Sequence, residues 1–190
     1  MKMRVRGLFW IVFLFLATNA FAGYGMKFIE LHGEFLGNLK YSPTQTKVGQ
    51  FGLGLNANIG FEYFQLMMEY DYRRLDVSGL SIPNLERISV HEVYGGLRFC
   101  PLHPVLELGD IAVRLTAGAM AGIDFQYHFR TLVFGGLVFT PVTSLIGLTV
   151  DFVYRPGEHL VGGEIGGFKG YKMDPSWTIR AGLIIGPSIY

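Results

Sequence analysis

Between residues 50 and 63 the chain alternates without a break. Phe51, Leu53, Leu55, Ala57, Ile59, Phe61 and Tyr63 share one parity, and Gln50, Gly52, Gly54, Asn56, Asn58, Gly60 and Glu62 the other. A period of two places successive side chains on opposite faces of a β-strand. A run this long, with one face apolar and the other small or polar, exceeds what an ordinary soluble strand needs. It matches the ~9–11 residues of a strand tilted across a bilayer, plus its ends.

The same split recurs along the chain. In 28–35, Ile29, Leu31, Gly33 and Phe35 oppose Phe28, Glu30, His32 and Glu34. In 66–73, Leu66, Met68, Tyr70 and Tyr72 oppose Met67, Glu69, Asp71 and Arg73. Segments 111–125, 146–155 and 177–186 set aliphatic and aromatic residues against Arg114, Asp124, Asp151, Arg155 and Arg180. Segment 88–99 alternates less cleanly, with Val93, Leu97 and Phe99 against Glu92, Tyr94 and Arg98. Segment 131–140 is apolar in both parities, and an internal echo sets its register. Gly95-Gly96-Leu97-Arg98-Phe99-Cys100-Pro101 returns forty residues later as Gly135-Gly136-Leu137-Val138-Phe139-Thr140-Pro141. That interval is one strand pair, so both copies belong on strands running the same way and ending at a proline-marked turn. Eight strands result.

The connections alternate too. Gaps 38–49, 74–87, 126–130 and 156–176 are mostly long and hold Pro, Gly, Ser, Asn and Lys, with 156–176 the largest. Gaps 64–65 and 141–145 are short, and 100–110 is longer than expected of its series. Long loops at one end and short turns at the other are the asymmetry of outer-membrane barrels. Composition agrees: 26 glycines, 15% aromatic and only 16% charged residues, against about a quarter charged in soluble domains. Beyond the N-terminus no segment carries a 3.6-residue period, nor a second apolar run long enough for a membrane helix.

The N-terminus reads as an export signal. Lys2, Arg4 and Arg6 precede an uncharged run from Gly7 to Ala17, and Ala20-Phe21-Ala22 places small residues where a signal peptidase cuts. The run is shorter than the ~20 residues of a membrane-spanning helix, which disfavours a retained anchor. Residues 1–22 are therefore assigned as signal peptide and 23–190 as the barrel domain. Losing the signal moves the formal charge from +1 to −2, which gives no reason to expect a nucleic-acid partner.

In hydrocarbon every backbone N–H and C=O needs a partner within the protein, and only helices and closed barrels supply one. The fold expected is therefore all-β, an eight-stranded antiparallel up-and-down transmembrane β-barrel. Its polar parity must face inward, which puts Glu30, Glu34, Glu69, Asp71, Arg73, Glu92, Arg98, Arg114, Asp124, Asp151, Arg155 and Arg180 in the lumen. Eight strands leave a lumen only wide enough for side chains to fill, so opposite charges there should pair. An ion-pair network around Arg98, Arg114 and Arg180 and no open pore is the expectation; a proton or ion path is the alternative. Phe61, Tyr63, Phe99, Phe139, Tyr70, Tyr72, Phe152, Tyr154 and Trp177 lie near strand ends, where interfacial aromatic girdles form. A lipocalin-like soluble barrel would need the opposite pattern, with an apolar lumen and a polar exterior.

On these strands, the two Gly-Gly-Leu-x-Phe segments and the terminal aromatic Tyr190, residues 26–190 resemble the small outer-membrane barrel family of the OmpA transmembrane domain and OmpX type. In that family the last strand keeps its apolar step up to the terminal aromatic, and here Gly186-Pro187-Ser188 interrupts it. The resemblance implies a location in the outer membrane and a structural or surface-interaction role, by binding or adhesion, without catalysis. It implies as partners outer-membrane lipids including lipopolysaccharide, and the barrel-assembly machinery during biogenesis. A monomer is expected.

No phosphate loop, zinc-spaced His/Cys cluster or nucleophile elbow is present, so no cofactor or metal is expected. His32 reads as a lumen residue bonded to the Glu30/Glu34 side; His103 and His159 fall in a turn and a loop. Cys100, the only cysteine, reads as a small apolar residue near a turn. Ser89 and His91 share the lipid-facing parity, and a Ser/His pair with an orienting acid is the minimum for ester hydrolysis. Lipid A deacylases look similar in placing a His-x-Ser pair on a barrel's outer wall. Here the order is Ser-x-His and no acid is evident on that face. A lipid A-modifying hydrolase using Ser89 and His91 is thus the alternative function.

Overall fold

A computed structural model describes residues 27–186, apart from 36, 42–43, 62, 81–85, 102, 126–127, 142–144, 158 and 161–170. The signal assigned to 1–22 and the terminal Tyr190 lie outside the described residues. Eight long strands form β1 (Lys27–Phe35), β2 (Gly49–Phe61), β3 (Phe64–Asp76), β4 (Arg87–Phe99), β5 (Ile111–Asp124), β6 (Phe129–Pro141), β7 (Ile146–Arg155) and β8 (Ser176–Ile185). Each pairs antiparallel with the next, and β1 pairs with β8, so the sheet closes on itself. Closure leaves no strand edge with unpaired amides around most of the wall, which is what hydrocarbon demands. A 13-residue strand extends about 40 Å, or roughly 30 Å along the axis at barrel tilt.

The register keeps each parity on one side. Leu31 stands beside Leu183 and Leu55, and Leu66 beside Leu97. These face outward: Leu31 is 56% exposed, Leu66 54% and Leu148 52%. The opposite parity turns inward and is buried. The two Gly-Gly-Leu segments lie on β4 and β6, which run in the same direction. Gly136, from the second copy, faces in, where a Cβ would collide with the β7 backbone at Val150 and Asp151.

Several boundaries differ from the sequence expectation. The turn read at 64–65 does not fall there, because Phe64 and Gln65 already belong to β3 and Phe64 pairs directly with Phe61. The loop read at 126–130 is shorter, since Phe129 and Arg130 already belong to β6. The long 100–110 connection is partly strand. Leu106–Leu108 folds back on Ile111–Val113 through Gly109, whose φ of 60° suits a glycine at such a two-residue turn. Two short ribbons decorate the loop end: Lys40–Tyr41 pairs with Thr46–Lys47, and His159–Leu160 with Tyr171–Lys172.

Two apolar clusters pack inside the ring. One caps the loop end, where Leu39, Val48, Leu75, Val77, Ile88, Val90 and Met173 meet. The other lines the β3–β7 side of the lumen with Met67, Tyr94, Met120, Leu132, Phe134 and Val153.

Candidate functional site

Below the loop-end cap the interior is ionic. Seven carboxylates (Glu30, Glu34, Glu69, Asp71, Glu92, Asp124, Asp151) and six guanidiniums (Arg73, Arg98, Arg114, Arg130, Arg155, Arg180) are buried there together with His32. Near balance matters, because each unpaired ion would cost several kcal/mol at such depth.

The pairs are stacked from the turn end to the loop end. Arg98 donates to Glu30 (3.0 Å) and Asp151 (3.2 Å), and Thr149 donates to the second Glu30 oxygen at 2.7 Å. The Arg98 guanidinium also lies over the Phe134 ring, 5.0 Å from its centre. One tier higher, Arg180 grips both oxygens of Glu69 (2.8 and 3.0 Å) and reaches Glu34 at 3.2 Å. Asn56 donates to the same Glu69 at 2.8 Å. Arg155 donates to Glu34 at 2.7 Å and stands 3.8 Å from Asp71. Nearest the loops, Arg73 forks onto Glu92 (2.7 and 2.8 Å), and Arg130 binds Asp124 at 2.6 Å. Parallel two-point bonds of this kind are the strong, geometrically specific form of an ion pair.

The structure thus brings Glu30, Glu34, Glu69, Asp71, Glu92, Arg98, Asp151 and Arg180 together in the lumen. Arg114 lies lower and donates to the Thr140 hydroxyl. Arg130 was missed by sequence reasoning because it was counted as loop. Its parity with Leu132 and Phe134, carried two residues back, was the available signal. His32 corrects an expectation: its Nε2 lies 2.9 Å from Asp71 Oδ1, not on the Glu30/Glu34 side. Residues two apart on one strand face stand side by side, whereas Asp71 is reached across Gly54 of β2, paired with both. A Cβ on Gly54 would land between the imidazole and the carboxylate.

His32, Glu69 and Asp71 hold their ligand-capable atoms within 4.8 Å of one another. Arg180 already supplies the positive charge at that point through its two bonds to Glu69. Cys100 is buried behind β4, and burial pushes its thiol up to about 11, which keeps it protonated and inert near neutral pH.

On the outer wall Ser89 and His91 do not meet as a catalytic pair. The Tyr70 hydroxyl lies 2.7 Å from His91 Nδ1, and the Tyr72 hydroxyl 3.2 Å from Ser89 Oγ. The imidazole stacks on Phe125, with ring centres 5.5 Å apart. Among the described residues no hydrogen bond joins Ser89 to His91 and no carboxylate orients the ring. This aromatic patch sits at the loop end, as does the stacked pair Phe152 and Trp177; Phe64 and Phe99 meet edge-on at the turn end.

A closed ring of eight antiparallel strands, apolar outside, is the architecture of the small outer-membrane β-barrels. No family model matches the chain, and no curated protein matches it in sequence. The fold is similar to that of a designed transmembrane β-barrel, with a TM-score of 0.52 and 10% identity over 87% of this chain and 98% of the other. It is similar to that of neisserial surface protein A (NspA), with a TM-score of 0.50 and 13% identity over 86% of this chain and 99% of the other. Ail, the attachment invasion locus protein of Yersinia pestis, aligns with a TM-score of 0.42 and 14% identity over 86% of this chain and all of its own.

Proposed function

We propose that this protein is exported by the signal at 1–22 and spans the bacterial outer membrane as a structural or surface-interaction barrel without catalysis. The observation that carries this reading is the inversion of a soluble protein. A continuous belt of Leu, Val, Phe and Met side chains faces outward while paired ions fill the interior. Such a belt far exceeds the apolar patches a soluble monomer tolerates, and an acyl-chain environment accounts for it. Aromatic residues at both ends of the belt support the same placement. The ion-paired plug favours a closed, polar lumen over a conducting one, because side chains bonded to one another fill the narrow space that eight strands enclose. With the interior filled, the loops and the outer wall are left to meet partners; NspA, whose solved structure is similar in fold, is named as a surface protein. Outer-membrane lipids including lipopolysaccharide, and the barrel-assembly machinery, are the partners this placement brings. The barrel is expected to act as a monomer.

Membrane fractionation followed by gel electrophoresis of boiled and unboiled samples tests the placement. The expected result is recovery with outer membranes and a heat-dependent mobility shift. Recovery in the soluble fraction without a shift would overturn it.

A further inference from the structure

The outward parity of the wall is almost free of charge, and what charge it has falls in one sector. Among the described side chains of the eight strands, only Arg74 and Asp76 of β3 and Arg87 of β4 carry a full charge on that parity. All three stand at the loop end of one strand pair, with Arg74 opposite Ser89 and Asp76 opposite Arg87. On β2, β6, β7 and β8 the outward parity nears the loops on aromatic rings instead: Phe51, Phe129, Tyr154 and Trp177.

Arg74 and Arg87 are diagonal neighbours across the ladder, a placing that sets Cα atoms about 7–8 Å apart and lets two long side chains close on one group. Both are exposed, and among the described residues neither guanidinium has a hydrogen bond or a close ion pair. The Ser78 amide and hydroxyl donate to Asp76 Oδ1 (3.1 and 2.6 Å), so that carboxylate serves the turn beyond β3. Glu86, next along, has the opposite parity. Two cations therefore face one anion on this part of the wall. The Ser89 and Tyr72 hydroxyls share one hydrogen bond of 3.2 Å, which uses one of their two O–H protons and leaves the other for an acceptor.

Toward the turns the same two strands continue with Tyr72 and Tyr70, then the exposed Met68, Leu66, Val93 and Leu97. A row of tyrosine hydroxyls over an apolar row marks the level where head groups meet acyl chains. Arg74 lies two residues beyond Tyr72, or roughly 5 Å higher along the axis at barrel tilt, which is head-group level.

We propose that Arg74 and Arg87, with the Tyr72–Ser89 hydroxyl pair, hold the phosphate of one outer-leaflet lipid whose acyl chains lie along Met68, Leu66, Val93 and Leu97. This rests on the membrane reading above and adds to it a place on the wall and a head-group chemistry. A lipid phosphate matches both halves of the surface, cationic above and apolar below; a soluble anion or an uncharged lipid matches only one. Guanidinium forks meet phosphate oxygens two at a time, which suits arginine to the task.

The refolded barrel in maltoside micelles is titrated with dimyristoyl phosphatidic acid and with dimyristoylglycerol, which differ only in the phosphate. Bound lipid is counted by native mass spectrometry. Wild type should take up phosphatidic acid at concentrations where diacylglycerol leaves it bare. Arg74→Gln and Arg87→Gln replace exposed side chains and should keep the heat-dependent mobility shift. Each should bind phosphatidic acid about fivefold more weakly, and the double variant roughly 25-fold. Lys40→Gln, which removes a cation from the loop ribbon and not from the wall, should bind as wild type does. Equal uptake of the two lipids, undiminished binding by the double variant, or equal weakening by Lys40→Gln overturns the site. If the mobility shift persists in that case, the membrane reading stands without the site; a wild type with neither shift nor lipid preference removes both.

Discussion

Two regions of the interior are equally buried and built on opposite principles. The loop-end cap of Leu39, Leu75, Val77, Ile88 and Met173 is held by burial alone, without direction or register. The tiers beneath it, from Arg73 and Glu92 down to Arg98 and Glu30, are held by charges that must meet at specific atoms. A cap of this kind tolerates imprecision, and removing one side chain costs in proportion to the space left behind. An ionic tier does not: removing one partner leaves a buried charge, and the loss exceeds anything the pair contributed. In the ionic interior the partners meet at particular atoms, and in the cap they do not.

The largest break in that comparison comes from Arg180→Ala. It strands Glu69, leaves Glu34 to Arg155 alone, and should cost about 3–5 kcal/mol in urea unfolding of the refolded barrel. A loss below ~1 kcal/mol would mean water reaches this tier. Leu75→Ala, in the cap, should cost about 2–4 kcal/mol by opening a cavity, with no change in salt dependence. Gly54→Ala sharpens the contrast by adding a single carbon. It separates His32 from Asp71 and should cost about 1–3 kcal/mol in the same urea unfolding; an unchanged midpoint would mean that the pair moves aside freely. Ser89→Ala, outside both regions, should shift stability by no more than about 0.5 kcal/mol. It should also leave lipid A acylation in cells unchanged; a changed acyl pattern would revive the hydrolase alternative.

The barrel was legible because its determinant is local. Alternation at Phe51 to Tyr63, or at Ile146 to Arg155, needs no knowledge of partners to assign a face. Ends of strands were less legible, since Phe64 and Arg130 join their strands through cross-strand pairing that no single segment encodes. The Leu106–Leu108 strand escaped for the same reason: it exists only against Ile111–Val113. The apolar cap was invisible because Leu39 and Met173 come from connections and meet only when the barrel closes. Ser89 and His91 share a face as their spacing requires, yet neighbouring tyrosines on β3 bind each of them separately.

From the sequence alone come the eight strands, the apolar outer face and the charged inner one, because a period of two is a property of the chain itself. The tertiary structure decided which charge meets which. Arg180 and Glu69 are 111 residues apart, and His32 reaches Asp71 over a glycine on the strand between them. Pairing across a lumen depends on stagger and closure. Those are set by the whole ring of registers, not by any strand within it.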